Sequence, residues 1–141
     1  MEARKFQMSE LSLDPGNVRL HSERNIETIM GSLRRFGQQK PIVIDQNSVI
    51  RAGNGTYEAA RNLGWTDIMC VQTDLEGVEA AAYSLVDNRT AELAEWNFEG
   101  LSTMLKGLKE DDTIDLVELG WEQYELDALL NADWAPPELD E

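Results

Sequence analysis

The sequence predicts a small mixed domain, α/β or α+β, followed by a helical C-terminal appendage. Three observations carry this. Short apolar runs such as Ile42, Val43 and Ile44 lie between turn residues, as strands do. Between them run segments whose apolar residues recur at helical spacing. Past Trp96 only helical patterns remain, broken by the acidic run Glu110, Asp111 and Asp112.

In chain order, residues 4–8 alternate as a short strand, and Pro15, Gly16 and Asn17 supply turn chemistry. Ser22 precedes a helix with Glu23 in its first turn, Ile26, Met30 and Leu33 on one face, and Gly37 as its C-terminal cap. Lys40 and Pro41 lead into a strand over residues 42–44, since proline is tolerated at a strand's first position. Residues 45–48 make a hairpin-like connection to a strand over residues 49–51. Thr56 is the expected cap of a second helix that buries Ala59, Ala60 and Leu63 and ends at Gly64. A strand follows over residues 68–72. A third helix from about Glu76 is expected to turn Val78, Ala81, Ala82 and Leu85 inward, leading to the polar stretch VDNRTAELAEW. Leu101, Met104, Leu105 and Leu108 mark a fourth helix, and LVELGWEQYELDALL a last one with Leu126, Leu129 and Leu130 on one face.

Composition narrows the function. A chain of 141 residues, 42% hydrophobic and 28% charged, suits a folded domain with a real core. No apolar run approaches the roughly 18 residues of a membrane span, and MEARKFQMSE lacks a signal-peptide core, so a cytosolic setting is the expectation. One cysteine, Cys70, sits in an apolar run and reads as a buried, inert thiol. The net charge of −15 is uneven. Residues 1–65 hold nine Lys and Arg against seven Asp and Glu, whereas residues 66–141 hold three against twenty. Duplex DNA requires basic residues to displace its counterions, so the second half should repel it. Charge favours a small phosphate-bearing ligand held by the first half.

Three clusters carry candidate chemistry. The segment Arg51-Ala52-Gly53-Asn54-Gly55-Thr56 follows a strand and opens a helix, where backbone N–H groups and the helix dipole converge on an anion. It lacks the lysine of a phosphate loop and the third glycine of a dinucleotide fingerprint, so an ordinary turn is the competing reading. In Val86-Asp87-Asn88-Arg89-Thr90, an Asn beside an Asp can hold hydrated Mg²⁺ and Arg89 can pair with phosphate; a plain helix end is the alternative. The third is Asn17-Val18-Arg19-Leu20-His21. His21 is the one histidine, which reads alone as a solvated or capping residue and weakens hydrolase hypotheses.

Taken in order, NVRLH, FGQQKPIVI, AGNGTYEAARNLG and DNRTAELAEW resemble the ParB/sulfiredoxin-like superfamily. More narrowly they resemble ParB N-terminal (ParB-like nuclease) domains of phages and mobile elements, some fused ahead of a DNA methyltransferase. The resemblance implies an α+β domain over residues 1–95, a helical extension over 96–132 and an acidic, proline-bearing tail over 133–141. It implies a triphosphate site for CTP or ATP with Mg²⁺. Gly53, Asn54, Gly55 and Thr56 would form the cradle, with Asn88 at the metal or phosphate and Arg89 on phosphate. Arg19 and Lys40 would add positive charge at the rim, and Arg51 would stand just before the cradle. The implied partners are a nucleotide, weakly DNA, a fused or neighbouring methyltransferase, and a second copy of the chain. Where partition proteins read Gly-Glu-Arg-Arg, this chain reads Gly53-Asn54-Gly55-Thr56; the acidic residue and the arginines are gone, which counts against triphosphate hydrolysis first and against nucleotide binding second. Cys70 does not match the catalytic cysteine of sulfiredoxins. A DNA nuclease, and an acidic protein-interaction or DNA-mimic module, stand as the alternatives.

Overall fold

The computed structural model describes residues 1–131; the expected tail lies outside them. The chain divides into two compact units, Met1–Leu93 and a second that begins at Ala94. No helix among the described residues is long and apolar enough to cross a membrane.

The first unit is built on a four-stranded mixed sheet of order β1-β4-β2-β3. Strand β1 is Arg4–Gln7, β2 Ile42–Ile44, β3 Ile50–Ala52 and β4 Asp67–Gln72. Strands β1 and β4 pair antiparallel with Phe6 opposite Ile68, β2 and β4 run parallel with Ile42 opposite Cys70, and β2 and β3 are antiparallel. A parallel pair needs a crossover, and here it contains β3 and helix α2, Asn54–Asn62. Helix α1, Glu23–Phe36, packs against α2, so both cover the sheet's apolar residues. Ser22 caps α1 by accepting from the Asn25 N–H at 3.0 Å, and Gly37 closes it at φ 73°. Ile44, Ile50 and Ile68 are almost fully buried, and each contributes roughly 1.5–3 kcal/mol of apolar burial. Cys70 is buried among them, and burial pushes its thiol up to about 11, well out of reach of thiolate chemistry at neutral pH.

Where β2 has not yet begun, a side chain does a strand's work. The Gln38 amide donates to the Met69 carbonyl and accepts from the Met69 N–H, both at 2.9 Å. The same nitrogen donates to the Lys40 carbonyl at 3.1 Å. Gln38 thus satisfies β4 backbone that would otherwise lack a ladder partner.

Two expectations about helix ends and faces need correction. Thr56 is not the cap of α2; Gly53 is, at φ 104° and ψ 24°, and Thr56 lies in the first turn. Helix α3, Gly77–Leu93, is longer than expected and absorbs VDNRT. Its apolar residues do not turn inward: Val78 is 83% and Leu85 59% exposed, and Ala81 and Ala82 are exposed as well. The inward stripe is instead Ala80, Ser84 and Asn88, four residues apart. Ser84 Oγ donates to the Ala80 carbonyl and Asn88 Nδ2 to the Ser84 carbonyl, so small and polar residues face β3.

The second unit holds α4, Phe98–Lys109, and α5, Gln123–Leu130, around Leu101, Leu105, Leu116, Leu126 and Leu129. Asn97 caps α4 through the Gly100 N–H, and Ser102 donates to the Leu129 carbonyl, joining the two helices. The last helix is shorter than expected. Residues 116–120 form turns, and α5 starts only after a capping box between Glu122 and Glu125.

Candidate functional site

The glycines of the turn before α2 are there for space. A Cβ on Gly53 would stand 2.4 Å from Ile42 Cγ2, and one on Gly55 would stand 2.6 Å from the His21 imidazole. Gly53 therefore lets the chain cross close over β2 in a left-handed backbone. Gly55 lets His21 lie directly against the start of α2. As first-turn residues, Asn54, Gly55 and Thr56 carry N–H groups without acceptors inside the helix, and the positive end of the helix dipole adds to them.

A cavity of about 130 Å³ opens over this turn, lined by Gly53, Asn54, Gly55 and Thr56. Asn17, Arg19 and His21 close it from the loop before α1, and Asp87 and Asn88 from α3. A neighbouring cavity of about 110 Å³ is lined by Val18, Arg19, Leu85, Asn88, Arg89 and Glu92. Arg19 and Asn88 line both, so the two cavities adjoin as the halves of a cleft divided at these residues. Each half falls short of the roughly 300–1,000 Å³ usual for a small-molecule pocket. The turn alone suits a phosphate-sized group, and a larger ligand would extend toward Leu85.

The loop is held by hydrogen bonds that also fix side chains. Asn54 Oδ1 accepts from the Asp14 N–H at 3.3 Å, tying the turn to the loop. Asn17 accepts from the Arg19 N–H at 3.1 Å and donates to its carbonyl at 3.3 Å, which sets the backbone of Arg19. His21 Nδ1 lies 2.6 Å from Asn25 Oδ1, leaving Nε2 as the nitrogen available to a ligand. On α3, Asn88 Nδ2 is committed to the Ser84 carbonyl, so Oδ1 is what Asn88 can offer the cleft.

The arginines separate by role. Arg51 precedes the turn and is mostly buried, with Nε 3.0 Å and Nη2 2.9 Å from Asp45 Oδ2 and Nη1 3.3 Å from Asp14 Oδ2. Burial alone would raise the pKa of Asp45. The N–H groups of Val49 and Asn47 and the Arg51 guanidinium outweigh it and hold the carboxyl below its ordinary value. Arg51 lines the cavity, yet its charge is already matched by these carboxylates. Arg19 and Arg89 both lie at the cleft's second half, where Glu92 accepts from Arg19 at 2.9 Å and from Arg89 at 3.2 Å.

Of the residues singled out from sequence, Arg19, Arg51, Gly53, Asn54, Gly55, Thr56 and Asn88 surround the first cavity, and Arg89 lines the second. Lys40 lines neither. Sequence reasoning set His21 aside as a capping residue and did not single out Glu92. The two glycine spacings around Asn54 gave no sign of what would press on Gly55, because His21 is distant in sequence.

Three comparisons bear on this arrangement. No protein-family model matches the chain. In sequence it is similar to the ParB-like nuclease domain-containing protein YnaK of Escherichia coli (strain K12), 36% identical over 56 residues. That stretch is 40% of this chain and 64% of the relative, so the chain spans under two thirds of the relative's length. In structure it is similar to C-terminally truncated chromosome-partitioning protein ParB from Caulobacter crescentus complexed with CTP-γ-S. The TM-score is 0.76 at 18% identity, over 92% of this chain and 77% of that one. The same protein complexed to the centromeric parS site gives 0.53 at 18% identity, over 89% and 69%. Sulfiredoxin from Arabidopsis thaliana gives 0.50 at 20% identity, over 60% of this chain and 98% of that one. The mixed four-stranded sheet and its helices are therefore the ParB/sulfiredoxin fold.

Proposed function

We propose that this chain is a ParB-like module that binds a nucleoside triphosphate, CTP or ATP, with Mg²⁺. The observation that carries the reading is the convergence in one cleft of the Gly53–Thr56 turn, Arg19 and the Asp87-Asn88 pair. First-turn N–H groups and Arg19 suit phosphate oxygens. Asp87 and Asn88 suit Mg²⁺, which is commonly held by one or two carboxylates together with waters and the phosphates of its ligand. A cation also answers an electrostatic need. Arg51 is neutralised by Asp14 and Asp45, and Asp87 would otherwise repel an incoming phosphate. The Mg²⁺ would supply charge neutralisation, while the chain itself orients the phosphates. The neighbour's CTP-γ-S complex and the relative's ParB-like name support the choice of nucleotide and setting. Such a module would serve phage or plasmid DNA metabolism, in partition or beside a DNA-modifying enzyme, with DNA and a second copy of the chain as further partners.

Calorimetric titration of the full chain with CTP, ATP and GTP in Mg²⁺ tests the proposal, and no heat with any of them overturns it. Asn88→Ala is expected to weaken binding about tenfold, the scale of losing one charge-assisted contact. A second reading, a weak nuclease, draws on the relative's name and on His21, which lines the same cavity. Nicking of supercoiled plasmid with Mg²⁺, lost on His21→Ala, would favour it.

A further inference from the structure

Glu92 is the carboxylate that the nucleotide-binding reading leaves over. Its two oxygens are divided between two guanidiniums, Oε1 with Arg19 at 2.9 Å and Oε2 with Arg89 at 3.2 Å. Arg89 and Glu92 share one turn of α3, while Arg19 comes from the loop before α1, on a backbone fixed by Asn17. Both arginines and the carboxylate line the second half of the cleft, and Arg19 reaches into the first. A carboxylate bridging two arginines occupies the place an oxyanion ligand would take.

We propose that Glu92 is the residue that sets anion selectivity in this cleft, a resident carboxylate that a phosphate displaces and a carboxylate ligand does not. The inference rests on the phosphate-binding reading and adds the reason for discrimination. The side chains of Arg19, Glu92 and Arg89 are 39%, 49% and 63% exposed, so the pairs are solvent-screened and easily exchanged. A carboxylate ligand would replace one carboxylate with another and gain nothing to offset the freedom it loses on binding. A phosphate brings more charge and a third acceptor oxygen, and each guanidinium has further N–H donors to meet it. Competition with an internal group, rather than pocket shape, then excludes small organic acids. Glu92 is a positioning and selectivity residue, and it takes no part in chemistry.

The test uses the full chain and sodium tripolyphosphate, with acetate as the carboxylate competitor, read by calorimetry. Glu92→Gln and Glu92→Ala should each tighten tripolyphosphate binding roughly two- to tenfold, the scale of two exposed ion pairs. Acetate, inert toward the parent chain, should compete in both variants. Glu79→Gln, which removes a charge from the first turn of the same helix, should change neither property. If the parent binds tripolyphosphate and the Glu92 variants bind it no tighter, the selectivity role is overturned while the phosphate reading stands. An equal gain in Glu79→Gln overturns the role too, because bulk charge would then explain it. If neither parent nor variants bind tripolyphosphate, the phosphate reading falls and this inference with it.

Discussion

Two arginines mark the floor and the rim of one cleft, and they are held in opposite ways. Arg51 lies between Asp14 and Asp45, three side chains that are 18%, 8% and 5% exposed. Arg19 is 39% exposed and pairs with a half-exposed Glu92. Removing an ion from a buried pair strands the partner's charge in a poor solvent, whereas removing one from an exposed pair only returns both to water. The floor is therefore suited to holding the turn in shape and the rim to exchanging partners. A sequence motif lists both as the same residue type.

The sharpest way to break this comparison is Arg51→Gln. It should lower stability by about 3 kcal/mol, because Asp45 and Asp14 are left buried without their cation. Urea unfolding would read it, and a loss as small as that of a surface pair would erase the distinction. A smaller effect of the same floor is its pH dependence. The folded pKa of Asp45 lies below its ordinary 3.8, so its stabilisation is complete above that value and is lost as pH falls through the folded one. The urea midpoint should drop on acidification below about pH 4, and this acid-induced loss should shrink in Asp45→Asn, which is less stable at neutral pH. Least in stability is Arg19→Gln, expected to move unfolding by under roughly 0.5 kcal/mol while weakening triphosphate binding about tenfold. An unchanged affinity would remove Arg19 from the phosphate site.

Much of the fold was legible because its signals were local. Ser22 and Gly37 bound α1, and Ile26 and Leu33 are buried as their spacing requires. Helix α3 misled because its inward stripe is Ala80, which is buried, with half-buried Ser84 and Asn88, and hydropathy gives such residues little weight against Val78 and Leu85. The same stripe explains why Asn88 reaches the cleft: small residues bring α3 close to β3. The cleft was legible as three motifs in order, yet not as roles. Nothing near Arg51 in sequence announces Asp14 as its partner, and nothing near Gly55 announces His21. Those facts arise from the loop that Asn54 ties down, a contact 40 positions apart.

Gln38 has a consequence for the protein's chemical ageing. Its amide nitrogen donates to the carbonyls of Met69 and Lys40 while its oxygen accepts from the Met69 N–H. Slow hydrolysis to glutamate would keep the oxygen and lose the donor, setting a carboxylate against two carbonyl oxygens beside β4. One deamidation there would leave both carbonyls without this donor where β2 begins, a point at which the sheet's hydrogen bonding depends on a single side-chain amide staying intact.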